Sequence, residues 1–271
     1  MTDADAYDAI AQHLVEGKGY VENADLPPEE DSAIGRVGPG YQFFLYLVYK
    51  VFGHHFEVVW VIQALLHVLT GGVIYLIAKS SFGEYKEAIG LISSSFYILF
   101  VDVMQMSGMI MTESLFLFLS ILSVYFFVRF YLNPSWQNSL YFGVVSALCI
   151  LTRPTALLIY MVFIALAISK RHFKATVIAT LCLICIIGPW TLRNYQVYDR
   201  FIFTTAAGGY DLWVGNNALA NGELDPSTEV TSYLDRYGVE NADEEGLKRV
   251  KEFALNSPLQ FIILQLKKTS I

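Results

Sequence analysis

Six apolar stretches occupy the middle of the chain, and polar segments flank them on both sides. A bilayer core of about 30 Å is crossed by about 20 helical residues, so each stretch is a candidate membrane span. The pattern places the spans at residues 57–78, 86–105, 111–131, 138–152, 154–169 and 174–192. The fourth and fifth are short and are separated by Arg153-Pro154. They form either one interrupted element or a hairpin of two spans, and the hairpin fits their length better.

The flanking segments have patterns of their own. Apolar residues recur at helical spacing within residues 4–16, which predicts a short amphipathic helix at the membrane surface. Two further surface helices are predicted at residues 40–52 and 243–267. Residues 200–205 favour a short strand, and residues 22–35 and 206–226 have the composition of loops. The expected fold is an all-α polytopic membrane protein with about six transmembrane helices, interfacial helices and an outer loop region.

The low fraction of charged residues is typical of a membrane protein, and the positions of the basic residues predict its orientation. Only 16% of the residues are charged, against about 25% in a soluble domain. The net charge of −7 makes a nucleic-acid partner unexpected. The three cysteines lie inside apolar runs and are interpreted as small buried side chains. Basic residues in the short connections concentrate on one side, which should be cytoplasmic: Lys79, Lys86, Arg129, Lys170, Arg171 and Lys174.

This orientation divides the chain into three regions. Residues 1–56 form an external first loop with two interfacial helices, residues 57–192 form the transmembrane block, and residues 193–271 form an external loop and amphipathic helix. The expected location is the cell membrane, with several spans and with the chemistry on the outer face.

Ionisable residues in or beside a span are costly and are therefore candidates for function. Glu113 opens the third span, where it either stabilises the helix start or faces a substrate or metal. Asp3, Asp5 and Asp8 cluster at the start of the first surface helix, as solvated capping charges or as a source of a general base. Arg36, Arg153 and Arg193 lie on the same predicted face, either as interfacial arginines or as phosphate ligands.

Several short motifs occur in an order that resembles membrane glycosyltransferases of the GT-C fold. The resembling families are those around the protein O-mannosyltransferases and the lipid A aminoarabinose transferases. Each motif alone is weak, but their shared order and spacing over nearly the whole chain is a strong signal. The motifs are residues 3–11 (DADAYDAIA), 14–20 (LVEGKGY), 36–45 (RVGPGYQFFL), 111–116 (MTESLF), 151–155 (LTRPT), 189–194 (PWTLRN) and 212–217 (LWVGNN).

The resemblance implies an activity and roles for named residues. A sugar would move, with inversion, from a polyprenyl-phosphate donor to a glycolipid, polysaccharide or protein acceptor. Asp3 best matches the catalytic aspartate, Asp5 is the near alternative, and Glu113 would lie near it and is a possible ligand of a divalent metal. No nucleotide or redox cofactor is expected. Residues expected to bind the substrate or its lipid phosphate are Arg36, Tyr41, Arg153, Arg193, Asn216 and Asn217.

The chain also departs from the family pattern. Gln42 stands where the family has a proline after Pro-Gly-Tyr. The family carries a span before the catalytic aspartate and further spans at the other end, so the chain is expected to be a fragment of a longer enzyme. A transporter fragment and a non-catalytic membrane scaffold are the alternatives. A transporter would place polar groups near the bilayer midplane, whereas here the charged candidates cluster at one interface.

Overall fold

The computed structural model describes residues 3–36, 38–217, 219–220 and 228–269, and only the backbone of residues 228–240. The described residues form twelve α-helices and no strand. The helices are α1 (Asp3–Val15), α2 (Gly40–Phe52), α3 (Phe56–Ser81), α4 (Lys86–Ile98), α5 (Val101–Met106), α6 (Glu113–Leu132), α7 (Trp136–Thr152), α8 (Ala156–Ser169), α9 (Phe173–Tyr198), α10 (Gly208–Gly215), α11 (Thr228–Asn256) and α12 (Pro258–Lys268). A 3-10 turn covers Ser32–Gly35.

The chain divides into two compact units. The larger unit contains Met1–Ala24 and Gly38–Thr204, and the smaller unit contains Asp25–Val37 and Thr205–Ile271. The larger unit thus holds helices α1 to α9, and the smaller unit holds α10 to α12 with the 3-10 turn.

Three of the six predicted spans are helices long and apolar enough to cross a bilayer: α3, α6 and α9. The fourth and fifth predicted spans are two separate helices rather than one interrupted element, α7 with 17 residues and α8 with 14. The second predicted span is broken, because α4 ends at Ile98 and α5 begins at Val101. His67 of α3 hydrogen-bonds the Ile98 carbonyl at 3.0 Å, which satisfies a group that the break releases.

The helices of the larger unit pack through small residues and aromatic rings. A β-carbon added at Gly143 of α7 would lie 2.4 Å from the Ala179 carbonyl oxygen of α9, so glycine permits this close approach. Phe127 stacks on Phe163 with ring centroids 4.1 Å apart. The Ser123 and Ser146 hydroxyls bond to each other at 2.8 Å, so the polar atoms between α6 and α7 are satisfied internally.

The predicted helices at residues 4–16 and 40–52 are confirmed as α1 and α2. The predicted strand at residues 200–205 is wrong, because side chains of α9 take the carbonyl groups that a strand partner would use. Trp190 donates to Thr204 at 2.7 Å, and Thr191 donates to Phe203 at 2.9 Å. This segment therefore has its hydrogen bonds without a sheet.

Two predictions in the smaller unit also need correction. Residues 208–215, expected as loop, form α10, because Gly209 packs against Gly246 of α11 and donates its backbone N–H to Asp243 at 2.5 Å. The helix predicted at residues 243–267 is two helices. α11 ends at Asn256 and α12 begins at Pro258, whose ring lacks the N–H that a continuous helix needs.

Candidate functional site

An ion pair joins the start of α6 to the end of α7. The Arg153 Nη2 atom lies 2.5 Å from the Glu113 Oε1 atom, and Arg153 Nε donates to the Thr112 hydroxyl at 2.9 Å. The Glu113 and Arg153 side chains are 24% and 32% exposed. A guanidinium has five N–H donors, so Arg153 keeps donors for a further anion while Glu113 fixes its orientation.

The segment that leads into Glu113 is held by a buried glutamine. Gln63 of α3 donates to the carbonyl oxygens of Ser107 and Met109 at 2.9 and 2.8 Å. The Tyr41 hydroxyl of α2 donates to the Gln63 Oε1 atom at 2.9 Å. Both Gln63 and Tyr41 are fully buried. Gln63 was not anticipated from the sequence, although an amide inside a predicted span is itself a signal of a polar contact.

Tyr41 also connects this network to α1. Its ring contacts the Tyr7 ring edge to face, with centroids 5.6 Å apart. Burial raises the pKa of Tyr41 well above its ordinary value, and the charge on Glu113 raises it further. Tyr41, expected as a substrate ligand, is therefore a buried member of the support between α1 and Glu113.

The two aspartates expected to be catalytic lie in the first turn of α1, and both are exposed. Asp3 precedes Tyr7 by four residues, and positions four apart lie on the same side of a helix. Asp3 thus continues the face that packs toward α2, whereas Asp5 projects from another side. Helix geometry favours Asp3 over Asp5 as the residue nearer to the Tyr41 network.

Asp8 has a different environment from Asp3 and Asp5. Its Oδ1 atom accepts from the Tyr49 hydroxyl at 2.6 Å and lies 2.8 Å from His54 Nε2, and its Oδ2 atom accepts from Gln12 at 2.6 Å. These bonds tie α1 to α2 and to the turn before α3. A carboxylate with this many partners anchors the helix and is poorly placed to take a proton from an acceptor.

The Tyr49 contact predicts a pH dependence of stability. Burial raises the pKa of Tyr49, and its bond to Asp8 raises it further. The contribution of the Tyr49 hydroxyl to the free energy of unfolding is complete below a pH of about 10. It is lost as the pH rises, because the unfolded chain then releases the Tyr49 proton while the folded chain keeps it. Tyr49→Phe should flatten the decline of unfolding free energy between pH 9 and 11.5, by up to about 1.4 kcal/mol per pH unit.

Denaturant titrations in detergent measure this slope. Tyr46→Phe is the matched control, since Tyr46 is on the same helix and its hydroxyl only accepts from Lys50, at 2.8 Å. Equal alkaline slopes in the Tyr49 variant and the wild type would contradict the prediction.

The Gly38-Pro39-Gly40 segment packs directly on the end of α7. A β-carbon at Gly38 would lie 2.0 Å from the Leu151 carbonyl oxygen, and one at Gly40 would lie 2.8 Å from the Thr152 backbone nitrogen. The backbone on which these glycines pack immediately precedes Arg153. The spacing of this motif therefore has a physical reason, since only glycine lets the two segments approach.

Gly38→Ala should destabilise the protein by about 1–3 kcal/mol, because backbone atoms must move to admit the methyl group. The unfolding transition measured in detergent should shift accordingly. Gly72→Ala in α3 is the control, because no heavy atom lies within 4 Å of its β-carbon position. That variant should keep or slightly raise the stability. A Gly38 variant as stable as the Gly72 variant would show that the contact is not close.

The remaining predicted ligands lie elsewhere. The Arg193 guanidinium at the end of α9 packs over the rings of three aromatic residues, with its Cζ atom 5.2 Å from the Trp190 centroid, 5.6 Å from the Tyr198 centroid and 5.7 Å from the Tyr20 centroid. Arg36 belongs to the smaller unit, where it closes the 3-10 turn.

Asn216 and Asn217, also in the smaller unit, are held by local hydrogen bonds. The Asn216 Oδ1 atom accepts from Gln265 and Lys268 of α12 at 2.8 and 2.7 Å. Asn217 donates to the Trp213 and Val214 carbonyl oxygens. These bonds explain how both amides shape the end of α10.

A divalent metal held by protein side chains alone needs several carboxylate, histidine or cysteine ligands, whereas Mg²⁺ that also binds a substrate phosphate needs only one or two carboxylates. Among the residues that the structure describes, no group of three or more such side chains could hold a metal ion. The Glu113 carboxylate is bonded to Arg153 rather than grouped with other acids. Among the described residues, Glu113 therefore belongs to no metal site built by protein side chains alone, and its expected role as a ligand of a divalent metal stays a prediction.

The sequence was compared with protein families, curated proteins and solved structures. The family model described as dolichyl-phosphate-mannose-protein mannosyltransferase matches residues 36–191. That range includes Glu113, Arg153 and the Gly38-Pro39-Gly40 segment. No curated protein matches the chain, and no solved structure matches it. Because the family model covers more than half of the sequence, the chain belongs to the dolichyl-phosphate-mannose-protein mannosyltransferase family of membrane glycosyltransferases.

Proposed function

We propose that the protein transfers a sugar from a polyprenyl-phosphate donor to an acceptor hydroxyl at the outer face of the cell membrane, with inversion at the anomeric carbon. The observation that carries the proposal is the oriented, partly exposed Glu113–Arg153 pair at the start of a candidate membrane span. The phosphate of a lipid-linked sugar lies at the interface between membrane and water, so the protein must bind it there. Arginine is the preferred residue for binding phosphate.

The reaction needs a base for the acceptor and a stabiliser for the leaving phosphate. The Asp3 carboxylate takes the proton of the acceptor hydroxyl while that oxygen bonds to the anomeric carbon. The bond from this carbon to the phosphate oxygen breaks on the opposite face, and the electron pair leaves with the lipid phosphate. Arg153 donates to the phosphate oxygens as their charge grows, which is electrostatic stabilisation of the transition state.

Glu113 acts on the guanidinium rather than on the sugar in this scheme. It holds Arg153 through Nη2, while Thr112 holds Nε, so the Nη1 edge, which bonds none of the described residues, points in a fixed direction. Fixing this direction before the reaction avoids reorganisation during it. Asp5 is the alternative base, and Arg36 and Arg193 are further candidates for the lipid phosphate.

The proposal is tested by transfer from lipid-linked sugars. The purified protein is reconstituted in vesicles with labelled polyprenyl-phosphate mannose and with other polyprenyl-phosphate sugars, and the label is followed into glycolipid, polysaccharide and peptide acceptors. Nucleotide sugars serve as the control donors. We expect transfer from a lipid donor only, with an inverted linkage by NMR. Transfer from a nucleotide sugar alone, or translocation of a sugar without transfer, would overturn the proposal.

A further inference from the structure

The smaller unit contains a cavity apart from the Glu113–Arg153 pair. Its volume is about 490 Å³, within the range of about 300–1,000 Å³ usual for small-molecule sites. The lining combines apolar and polar side chains from the end of α10 and from α11, including Trp213, Glu245, Arg249, Glu252, Phe253 and Asn256. The five members from α11 are spaced at three and four residues, so they share one face of the helix.

Some of these polar groups are already paired. The Glu245 carboxylate bonds Arg249 Nε at 3.3 Å and Lys248 Nζ at 3.6 Å. The Arg249 guanidinium also packs over the Trp213 ring, 5.8 Å from its centroid. Within the part of the chain whose side chains are described, nothing bonds the Glu252 carboxylate or the Asn256 amide. These two groups are exposed and are available to a ligand.

The charge of the lining restricts the ligand. The lining holds two carboxylates and one guanidinium, and Glu245 is shared between that guanidinium and Lys248, which lies outside the lining. An anionic ligand, such as a sugar phosphate, would lie against the Glu252 carboxylate, which no described residue pairs with. A neutral or cationic ligand rich in hydroxyl groups would find carboxylate and amide partners beside the half-buried ring of Phe253.

We propose that this cavity binds a neutral or amino sugar. Its use as the acceptor site rests on the proposed function, but sugar binding itself does not. The carboxylate and amide of Glu252 and Asn256 bond the ligand hydroxyls, while the half-buried Phe253 ring covers one of its C–H faces. The cavity binds phosphorylated sugars weakly, because their phosphate would lie against the Glu252 carboxylate.

Saturation-transfer NMR on the full chain in detergent tests the site with three probes: mannobiose, glucosamine and mannose 1-phosphate. We expect binding of the first two and little of the third. The double variant Glu252→Ala/Asn256→Ala should weaken mannobiose binding by about 30-fold, since it removes two hydrogen bonds that are each worth about 1 kcal/mol. Glu252→Gln should lower glucosamine binding more than mannobiose binding. Lys251→Ala, exposed on the same helix and outside the lining, is the control.

Equal mannobiose binding by the double variant and the wild type would overturn the proposal, as would mannose 1-phosphate binding as strong as that of mannobiose. The measurement needs no donor and no turnover. A negative result in this binding measurement therefore does not contradict the proposed transfer reaction at Arg153. A negative result in the transfer assay does not contradict sugar binding in the cavity.

Discussion

Asp3→Asn should lower the turnover of sugar transfer by about 10²–10⁴-fold, the contribution usual for a positioned general base. Asparagine keeps the size and the hydrogen-bonding capacity of the side chain but cannot accept the proton of the acceptor hydroxyl. Since Asp3 is exposed in the first turn of α1, the exchange should leave the fold intact. Initial rates with a saturating lipid-linked donor measure the effect, and thermal unfolding verifies that the variant is folded.

Asp5→Asn is the matched control for this prediction. It removes the same charge from the same helical turn, so any general effect of charge on donor binding should appear in both variants. Asp5 projects from a different side of α1, away from the face that carries Tyr7. We therefore expect at most about a tenth of the Asp3 effect on turnover. Undiminished turnover in the Asp3 variant would remove the assignment, and a larger loss in the Asp5 variant would transfer the role to Asp5.

The sequence predicted the elements whose pattern is local. Apolar runs and helical spacing are sufficient for α1, α2 and the three long spans, because burial in a bilayer or at its surface depends on residues close in sequence. The break between α4 and α5 was missed because no proline or glycine marks it. It is supported instead by His67 from another helix. Similarly, α10 depends on a glycine contact with α11, which no local pattern reveals.

The candidate site was predicted as single residues and not as an arrangement. Glu113 and Arg153 were chosen because charge beside a span is costly, and the structure brings these two together across 40 positions of sequence. Their pairing depends on how α6 and α7 pack. The buried support from Gln63 was missed for the same reason, since its partners are backbone carbonyl groups of a distant segment. An amide inside a predicted span indicates a polar contact, but the backbone groups that it bonds carry no residue-specific signal in a single sequence.

Arg153→Lys should lower turnover by about 10²–10³-fold while the KM for the donor changes little, because the lost contacts strengthen only as the phosphate charge grows. Lysine keeps the positive charge. It cannot bond Thr112 and Glu113 together and still present a fixed edge to the phosphate. Glu113→Gln should also lower turnover, since the guanidinium then loses its charged partner.

The double variant Arg153→Lys/Glu113→Gln separates an oriented pair from two independent contributions. If Glu113 acts only through Arg153, the double variant should lose little more turnover than the worse single variant, because residues that work as a unit are not additive. If the loss of turnover in the double variant instead equals the product of the two single losses, Glu113 has a role in the reaction that does not depend on Arg153. Arg129→Lys is the control, because this exposed arginine lies in the last turn of α6 and bonds only Tyr125 among the described side chains. The turnover of this variant should equal that of the wild type. A loss of turnover in the Arg153 variant is then due to the position of Arg153 and not to the exchange of arginine for lysine as such.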